Sequence, residues 1–153
     1  MRTATALLAV VCAVWSFPVH AANLGQQTSA DGLDIHYSVV SAEELRGYPA
    51  HSAERLMHGG VPRASGQRHL MIAVFDSKTR KRIGNASISA RVAELAQAGR
   101  EKALEPMPVA GEVTYGNYFA MSASGPYRVT VMIRRPGIAH VTQASFDYTV
   151  WKK

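Results

Sequence analysis

Apolar and polar residues alternate with a period of two along most of the chain. Within 33–39 the odd-numbered positions are Leu, Ile, Tyr and Val, whereas the even-numbered positions are Asp, His and Ser. The same alternation runs through 112–121, 127–134 and 146–150. This pattern is typical of strands with one face buried. The segment 69–76 (HLMIAVFD) is apolar at both parities, as expected of a central strand.

Turn signals separate these segments at intervals of about ten residues. They include 77–84, Gly125-Pro126 and Pro136-Gly137. The spacing predicts an all-β fold, an immunoglobulin-like antiparallel β-sandwich of about seven strands. Residues 93–104 are rich in Ala, Glu and Leu and fit either a short helix or an edge strand, and the Gly/Pro-rich segment 47–68 is predicted to be a long loop. The predicted core includes Tyr115, Phe119, Val129, Val131, Phe146 and Tyr148.

The N-terminus has the features of a secretory signal peptide. Arg2 precedes an apolar stretch over 4–15, and small residues lead up to Ala21. We expect cleavage after Ala21 and a periplasmic mature protein. The only cysteine, Cys12, is then lost, so no disulfide can form. A flexible leader is predicted over 22–31, followed by one domain over 32–153.

Charge and motifs exclude several classes of function. Lys and Arg number 17 against 11 Asp and Glu, a net charge of +6 that is scattered along the chain. The densest basic run, 78–82, has no aromatic residues between its charges, so we expect no nucleic-acid partner. No GxSxG elbow, P-loop or mature cysteine is present, and we predict that the protein is not an enzyme.

Histidine and methionine supply the candidate chemistry. Without cysteine, imidazole and thioether are the usual soft ligands, and thioethers suit Cu(I). They come together in Met57-His58 and in His69-Leu-Met71. Two residues apart on a strand, side chains share a face at about 7 Å, which can converge on one ion. Gly59-Gly60 would let His58 approach a ligand closely. Each residue also has a structural interpretation, as methionine often fills core gaps and strand histidines are often solvated.

Several stretches of the second half resemble one protein family. They are HLMIAVFDSKTRKRI (69–83), EPMPVAGEVTYGNYFAM (105–121), GPYRVTVMIRRP (125–136) and FDYTV (146–150). They are similar to the periplasmic iron-transport proteins that accompany high-affinity iron permeases, and more broadly to FixH- and YtkA-like periplasmic domains. The resemblance implies an immunoglobulin-like sandwich, often dimeric, with copper bound by one methionine and several histidines beside an iron site.

Carried over by position, Met107 matches the metal-binding methionine of that family. Thr114 stands where the family has a metal-binding histidine, and a threonine hydroxyl is a poor copper ligand. The first half does not align clearly, so the other histidine ligands could correspond to His51 or His58, and to His140.

Two hypotheses of different class follow. The first is a periplasmic metal-binding protein that handles copper or iron for uptake, delivery or storage. Its expected ligands are His58, His69, Met107, His51, Met71 and His140. The second is a metal-free accessory module whose Gly/Pro loop docks on a membrane partner, such as an inner-membrane permease. An enzyme with an unrecognised site ranks third.

Overall fold

Eight antiparallel strands make up most of the fold. The structure is a computed structural model that describes residues 26–151. The signal peptide, its cleavage site and Cys12 therefore lie outside the described residues. The strands are β1 (Gln26–Ala30), β2 (Leu33–Ser41), β3 (Gln67–Asp76), β4 (Ser87–Glu94), β5 (Arg100–Val109), β6 (Glu112–Ala120), β7 (Gly125–Arg134) and β8 (Thr142–Val150). Between β2 and β3 lie two short helices, α1 (Ala42–Arg46) and α2 (Ala53–Leu56), and a 3-10 turn (Met57–Gly59).

The strand order is β1-β2-β3-β6-β5-β4-β7-β8. With β2 to β8 taken as strands A to G, this gives the A-B-E-D and C-F-G arrangement of immunoglobulin domains. The strand β5 joins the two halves, because residues 100–104 pair with β4 and residues 105–109 pair with β6. The predicted immunoglobulin-like sandwich is confirmed, with eight strands rather than about seven.

One apolar core fills the space between the two halves. Inward residues from both halves are almost fully buried, among them Ile35, Ile72, Val129, Val131 and Ile133. The stacked rings of Tyr37 on β2 and Phe146 on β8, with centroids 3.5 Å apart, cross this space. Tyr115, Phe119, Val129, Val131 and Phe146 are buried as predicted, whereas Tyr148 is half-buried near the end of β8.

A tyrosine corner anchors the start of β7. The buried Tyr127 hydroxyl lies 3.1 Å from both the backbone N and the carbonyl O of Ala123, four residues upstream. Such a bond closes the corresponding corner in immunoglobulin-like domains. The Gly125-Pro126-Tyr127 sequence therefore serves the fold rather than a ligand site.

Two segments differ from the sequence prediction. Residues 26–30 form β1 rather than a flexible leader, because they pair in register with 33–37 across the turn at Asp31-Gly32. Residues 93–104 include neither a helix nor an edge strand. They contain the end of β4 and the first half of β5, which lies between β4 and β6 inside the strand order. The composition of this segment does not indicate an interior strand, because Leu104 is the only buried residue in the part of β5 that it contains.

The predicted long loop over 47–68 is mostly irregular, and we call residues 47–66 the arm. It contains α2, which has no buried residue, and the 3-10 turn. Leu56 on the arm is 63% exposed. The residues 67 and 68 already belong to β3. Within 26–151, no helix has the length and apolar character that a membrane span requires.

Candidate metal centre

Two histidines from distant parts of the chain meet at the surface of the sandwich. The Nε2 atoms of His58, on the arm, and His69, on β3, are 3.0 Å apart. His69 is fully buried, and the side chain of His58 is only 6% exposed. The two ring nitrogens that most often bind metals in proteins therefore face one another in a protected place.

His69 is buried although it lies on the outward face of its strand. Leu70, Ile72 and Val74 point into the core, so the alternation of the strand turns His69 outward. Its cross-strand partner Tyr118 lies on the same face, with ring centroids 4.7 Å apart. Tyr118 is in turn packed with Ala42 and Leu45 of α1. The segment between β2 and β3 thus covers this corner of the sheet.

This burial keeps His69 neutral at physiological pH. Desolvation and, to a smaller extent, the nearby His58 charge lower the pKa of His69 to about 4. Its Nδ1 atom is buried and has no hydrogen-bond partner among the described residues. A neutral imidazole keeps a lone pair, which metal binding requires.

A strained backbone brings His58 to this position. His58 has φ 55° and ψ 29°, a left-handed conformation that is uncommon for residues other than glycine. Gly59 and Gly60 follow with φ 76° and 103°. The Nδ1 atom of His58 lies 2.7 Å from Oε2 of Glu105 on β5. When an ionised Glu105 accepts the Nδ1 hydrogen, Nε2 of His58 carries the lone pair and is the acceptor in its 3.0 Å hydrogen bond with Nε2 of His69. A carboxylate on the other ring nitrogen orients many metal-binding histidines in this way.

Met107 reaches the same place from β5. Gly116 on β6 pairs with Met71 on one side and Glu105 on the other. A Cβ atom added to Gly116 would lie 2.8 Å from Nε2 of His69 and 2.8 Å from Cε of Met107. The methylthio end of Met107 and the ring of His69 therefore share the space above Gly116. Met107 is 4% exposed.

The donor set at this point is two imidazoles and one thioether. Among the described residues, no three His, Cys, Asp or Glu side chains are placed to hold one ion. Glu105 does not complete such a group because it contacts Nδ1 of His58, on the far side of the ring. Two nitrogen donors and one sulfur donor suit a soft ion, above all Cu(I). Sites rich in carboxylates instead favour harder ions.

The structure brings together His58, His69 and Met107, three of the six predicted ligands, and places His51 and His140 elsewhere. His51 is exposed on a turn before α2. His140 is also exposed, and its Nε2 lies 2.8 Å from Oδ2 of Asp31, just before the start of β2. His69 pairs with Val40 at the other end of β2, so the two histidines are far apart along that strand. Met71 shares the outward face with His69 and pairs with Gly116 across the strands, and it also lines a small cleft of about 220 Å³ with His36 and Thr114.

Two residues of the site are absent from the sequence prediction. Glu105 is two residues before Met107 and so lies on the same face of β5, a spacing that could have marked it. Gly116 interrupts an otherwise bulky strand, which often indicates a close approach by another group. His58 contacts Glu105, 47 positions away in the sequence, and His69, 11 positions away. No local sequence pattern predicts these contacts.

No protein-family model and no curated protein matches the sequence, whereas several solved structures share its fold. A DUF4426 family protein from Pseudomonas aeruginosa has a TM-score of 0.61 at 17% identity, covering 85% of this chain and 97% of its own. A copper-bound variant of FetP from uropathogenic Escherichia coli has a TM-score of 0.59 at 17% identity, covering 82% and 94%. The copper-reconstituted P19 protein from Campylobacter jejuni has a TM-score of 0.58 at 15% identity, covering 82% and 93%. At these identities the likeness shows a shared fold.

Proposed function

We propose that this chain is a periplasmic copper-binding protein that carries or stores the ion rather than catalysing a reaction. The observation that carries the proposal is the 3.0 Å approach of the Nε2 atoms of His58 and His69 beside the end of Met107. The copper-bound state of FetP and P19, which share the fold, supports copper as the ion. The signal-peptide pattern of the first 21 residues supports the periplasm.

The donor set favours Cu(I) over iron. A thioether is a soft ligand and stabilises Cu(I), whereas iron(II) prefers imidazole together with carboxylate oxygen. The carboxylate of Glu105, which contacts Nδ1 of His58, belongs to a side chain that is 59% exposed. Its role in the proposal is to orient His58. Iron handling would require Glu105 to leave that hydrogen bond.

Delivery, rather than tight storage alone, suits the way the site is built. His69 and Met107 are fixed by strands, whereas His58 comes from the arm, whose helix α2 has no buried residue. A ligand on such a segment can leave without unfolding the core. The receiving partner in this proposal is an inner-membrane protein, such as the permease of an uptake system, and a homodimer is compatible with it.

Metal titration of the mature chain tests the proposal. Cu(I) would be titrated in competition with a chelator, using wild type, His58→Ala, His69→Ala and Met107→Leu. We expect His58→Ala to weaken Cu(I) binding at least tenfold with an unchanged circular dichroism spectrum. Met107→Leu should weaken Cu(I) more than Cu(II), because it removes only the thioether. His140→Ala and Met132→Leu are matched controls that should bind as wild type does, because His140 pairs with Asp31 and Met132 lies on β7, which pairs with β4 and β8 rather than with β3, β5 or β6.

Weak binding would contradict the proposal. If neither copper nor iron binds the wild-type chain more tightly than about millimolar, near −4 kcal/mol, the metal-binding function is wrong. The alternative is then the metal-free accessory module, with the arm as its docking segment. The exposed Leu56 on the arm would be the first residue to test in that case.

A further inference from the structure

We infer that Gly116 is a specificity-determining residue of the metal site, because its missing side chain leaves the space in which imidazole and thioether can bind one ion. The inference rests on the proposed function. It adds a residue that contributes no ligand atom and yet decides which ligands can act together.

Backbone conformation does not require a glycine at position 116. Gly116 lies within the regular strand β6, and its φ is outside the left-handed range in which side chains are strained. A glycine inside a strand lowers stability, because it has no side chain to pack and loses more chain entropy on folding. The benefit of Gly116 must therefore lie in the space above it.

That space is occupied by the two strand-borne ligands. A Cβ atom at position 116 would lie 2.8 Å from His69 Nε2 and 2.8 Å from Met107 Cε, closer than real Cβ contacts. These two atoms are therefore at most twice 2.8 Å apart. The added Cβ would also lie 3.0 Å from the carbonyl O of Leu70, so the backbone of β3 crowds it as well.

The two ligands would respond differently to an added methyl group. His69 is fully buried and packed against the Tyr118 ring. The end of Met107 is a flexible side-chain terminus that moves at low cost. An alanine at 116 would consequently displace the thioether before the imidazole. The added methyl group would still contact Nε2 of His69, so binding of Cu(II) or Zn(II) by the two histidines would weaken somewhat, whereas the thioether and with it the preference for Cu(I) would be lost.

The experiment compares Gly116→Ala with Gly84→Ala in the purified mature chain. At Gly84, which precedes β4, an added Cβ would lie 3.2 Å from Cβ and 3.3 Å from Cγ2 of Val113 on β6. This control therefore adds the same methyl group against a close neighbour, away from the candidate ligands. We expect Gly116→Ala to weaken Cu(I) binding at least 100-fold and Cu(II) binding less than tenfold. X-ray absorption at the copper edge should show sulfur ligation in wild type and Gly84→Ala and none in Gly116→Ala.

A double-mutant cycle with Met107→Ala keeps the test decisive even if Gly116→Ala folds poorly. Met107→Ala removes the close contact with the thioether and leaves the contact with Nε2 of His69. If Gly116 acts mainly by admitting the thioether, adding Gly116→Ala to Met107→Ala should weaken Cu(I) binding less than tenfold, the remaining loss coming from His69. A further loss of tenfold or more would overturn the inference.

The two proposals fail in different ways. Wild-type protein that does not bind Cu(I) would overturn the proposed function itself. Wild-type protein that binds Cu(I), with Gly116→Ala binding equally well and retaining sulfur ligation, would overturn only the role of Gly116.

Discussion

The two parts of the candidate metal centre are built in opposite ways. One part, which we call the wall, is the outward face of β3, β5 and β6 that carries His69, Met107 and Gly116. It belongs to strands paired on both sides and packed on the main core. The other part is the arm, which consists mainly of irregular chain with the short helix α2 and a 3-10 turn. The helix α2 has no buried residue, and His58 has a left-handed backbone conformation.

The difference separates what holds the fold from what completes the site. The wall carries two of the candidate ligands, and their positions follow from strand register. The arm carries the third candidate, His58, whose position depends on Glu105 and on a strained backbone. A site divided in this way can bind an ion firmly and still release it when the arm moves.

The largest expected effect contrasts the core beneath the wall with the arm. Val131→Asp places a charge at a fully buried position on β7. An unpaired buried charge costs several kcal/mol, comparable to a total stability of about 5–15 kcal/mol, so the domain should unfold. Leu56→Asp, the matched change on the exposed arm, should shift the urea midpoint little. Circular dichroism measures both, and a folded Val131→Asp protein would contradict the core described above.

The second prediction concerns pH. Folded His69 stays neutral down to a pKa of about 4, whereas in the unfolded chain it takes up a proton near 6.5. The unfolded state therefore binds more protons between these values, and stability should fall as the pH falls from 6.5 to 4, by an amount on the order of 3 kcal/mol.

Urea unfolding at several pH values checks this sign. His69→Gln should remove most of the slope between pH 6.5 and 4. The carboxyl groups of Asp31, Asp76 and Glu101, whose pKa values are lowered by hydrogen bonds, should add a loss of stability that begins near their unfolded pKa values of about 4 and continues at lower pH. An equal slope in wild type and His69→Gln would show that His69 is not buried in the neutral form.

The third prediction addresses how the arm is held. Glu105→Ala removes the hydrogen-bond acceptor of His58 Nδ1 and should weaken Cu(I) binding about 10- to 100-fold. Glu105→Gln keeps a carbonyl acceptor and should restore part of the affinity. Glu112→Ala, also on the strand surface, is the control. The unfolding midpoint should stay within error in all three variants, and unchanged affinity in Glu105→Ala would contradict the orienting role.

The smallest effect is expected at a place that serves the fold alone. Tyr127→Phe removes the hydroxyl that closes the tyrosine corner with Ala123 and should cost about 1 kcal/mol of unfolding free energy. Copper affinity should not change, because Tyr127 lies at the start of β7, outside the site. A change in copper affinity without a change in stability would contradict the conclusion that Tyr127 serves the fold alone.

Much of the fold is predictable from the sequence because burial on one face produces a period of two. The strands with clear alternation, β2, β6, β7 and β8, were found where that pattern lies. The strand β5 is predicted only as one of two alternatives, a short helix or an edge strand. Its alternation is unclear because Met107 is buried on the outward side, whereas Leu104 is buried on the inward side. The short strand β1 is polar and depends on pairing with β2.

The candidate site is predictable in composition and not in geometry. Soft-ligand chemistry points to His58, His69 and Met107, and the three do come together. The same chemistry points to His51 and His140, which lie elsewhere. What separates the two groups is the path of the arm and the register of β5 against β6, both set by contacts between residues far apart in sequence.

The most direct test of the central claim is X-ray absorption spectroscopy of the mature chain loaded with one equivalent of Cu(I). If His58 from the arm and His69 and Met107 from the wall bind one ion, the copper should have two nitrogen ligands and one sulfur ligand. His58→Ala should lose one nitrogen and keep the sulfur, and Met107→Leu should lose the sulfur and keep both nitrogens. A wild-type copper shell without sulfur, or one that His58→Ala leaves unchanged, would contradict the account.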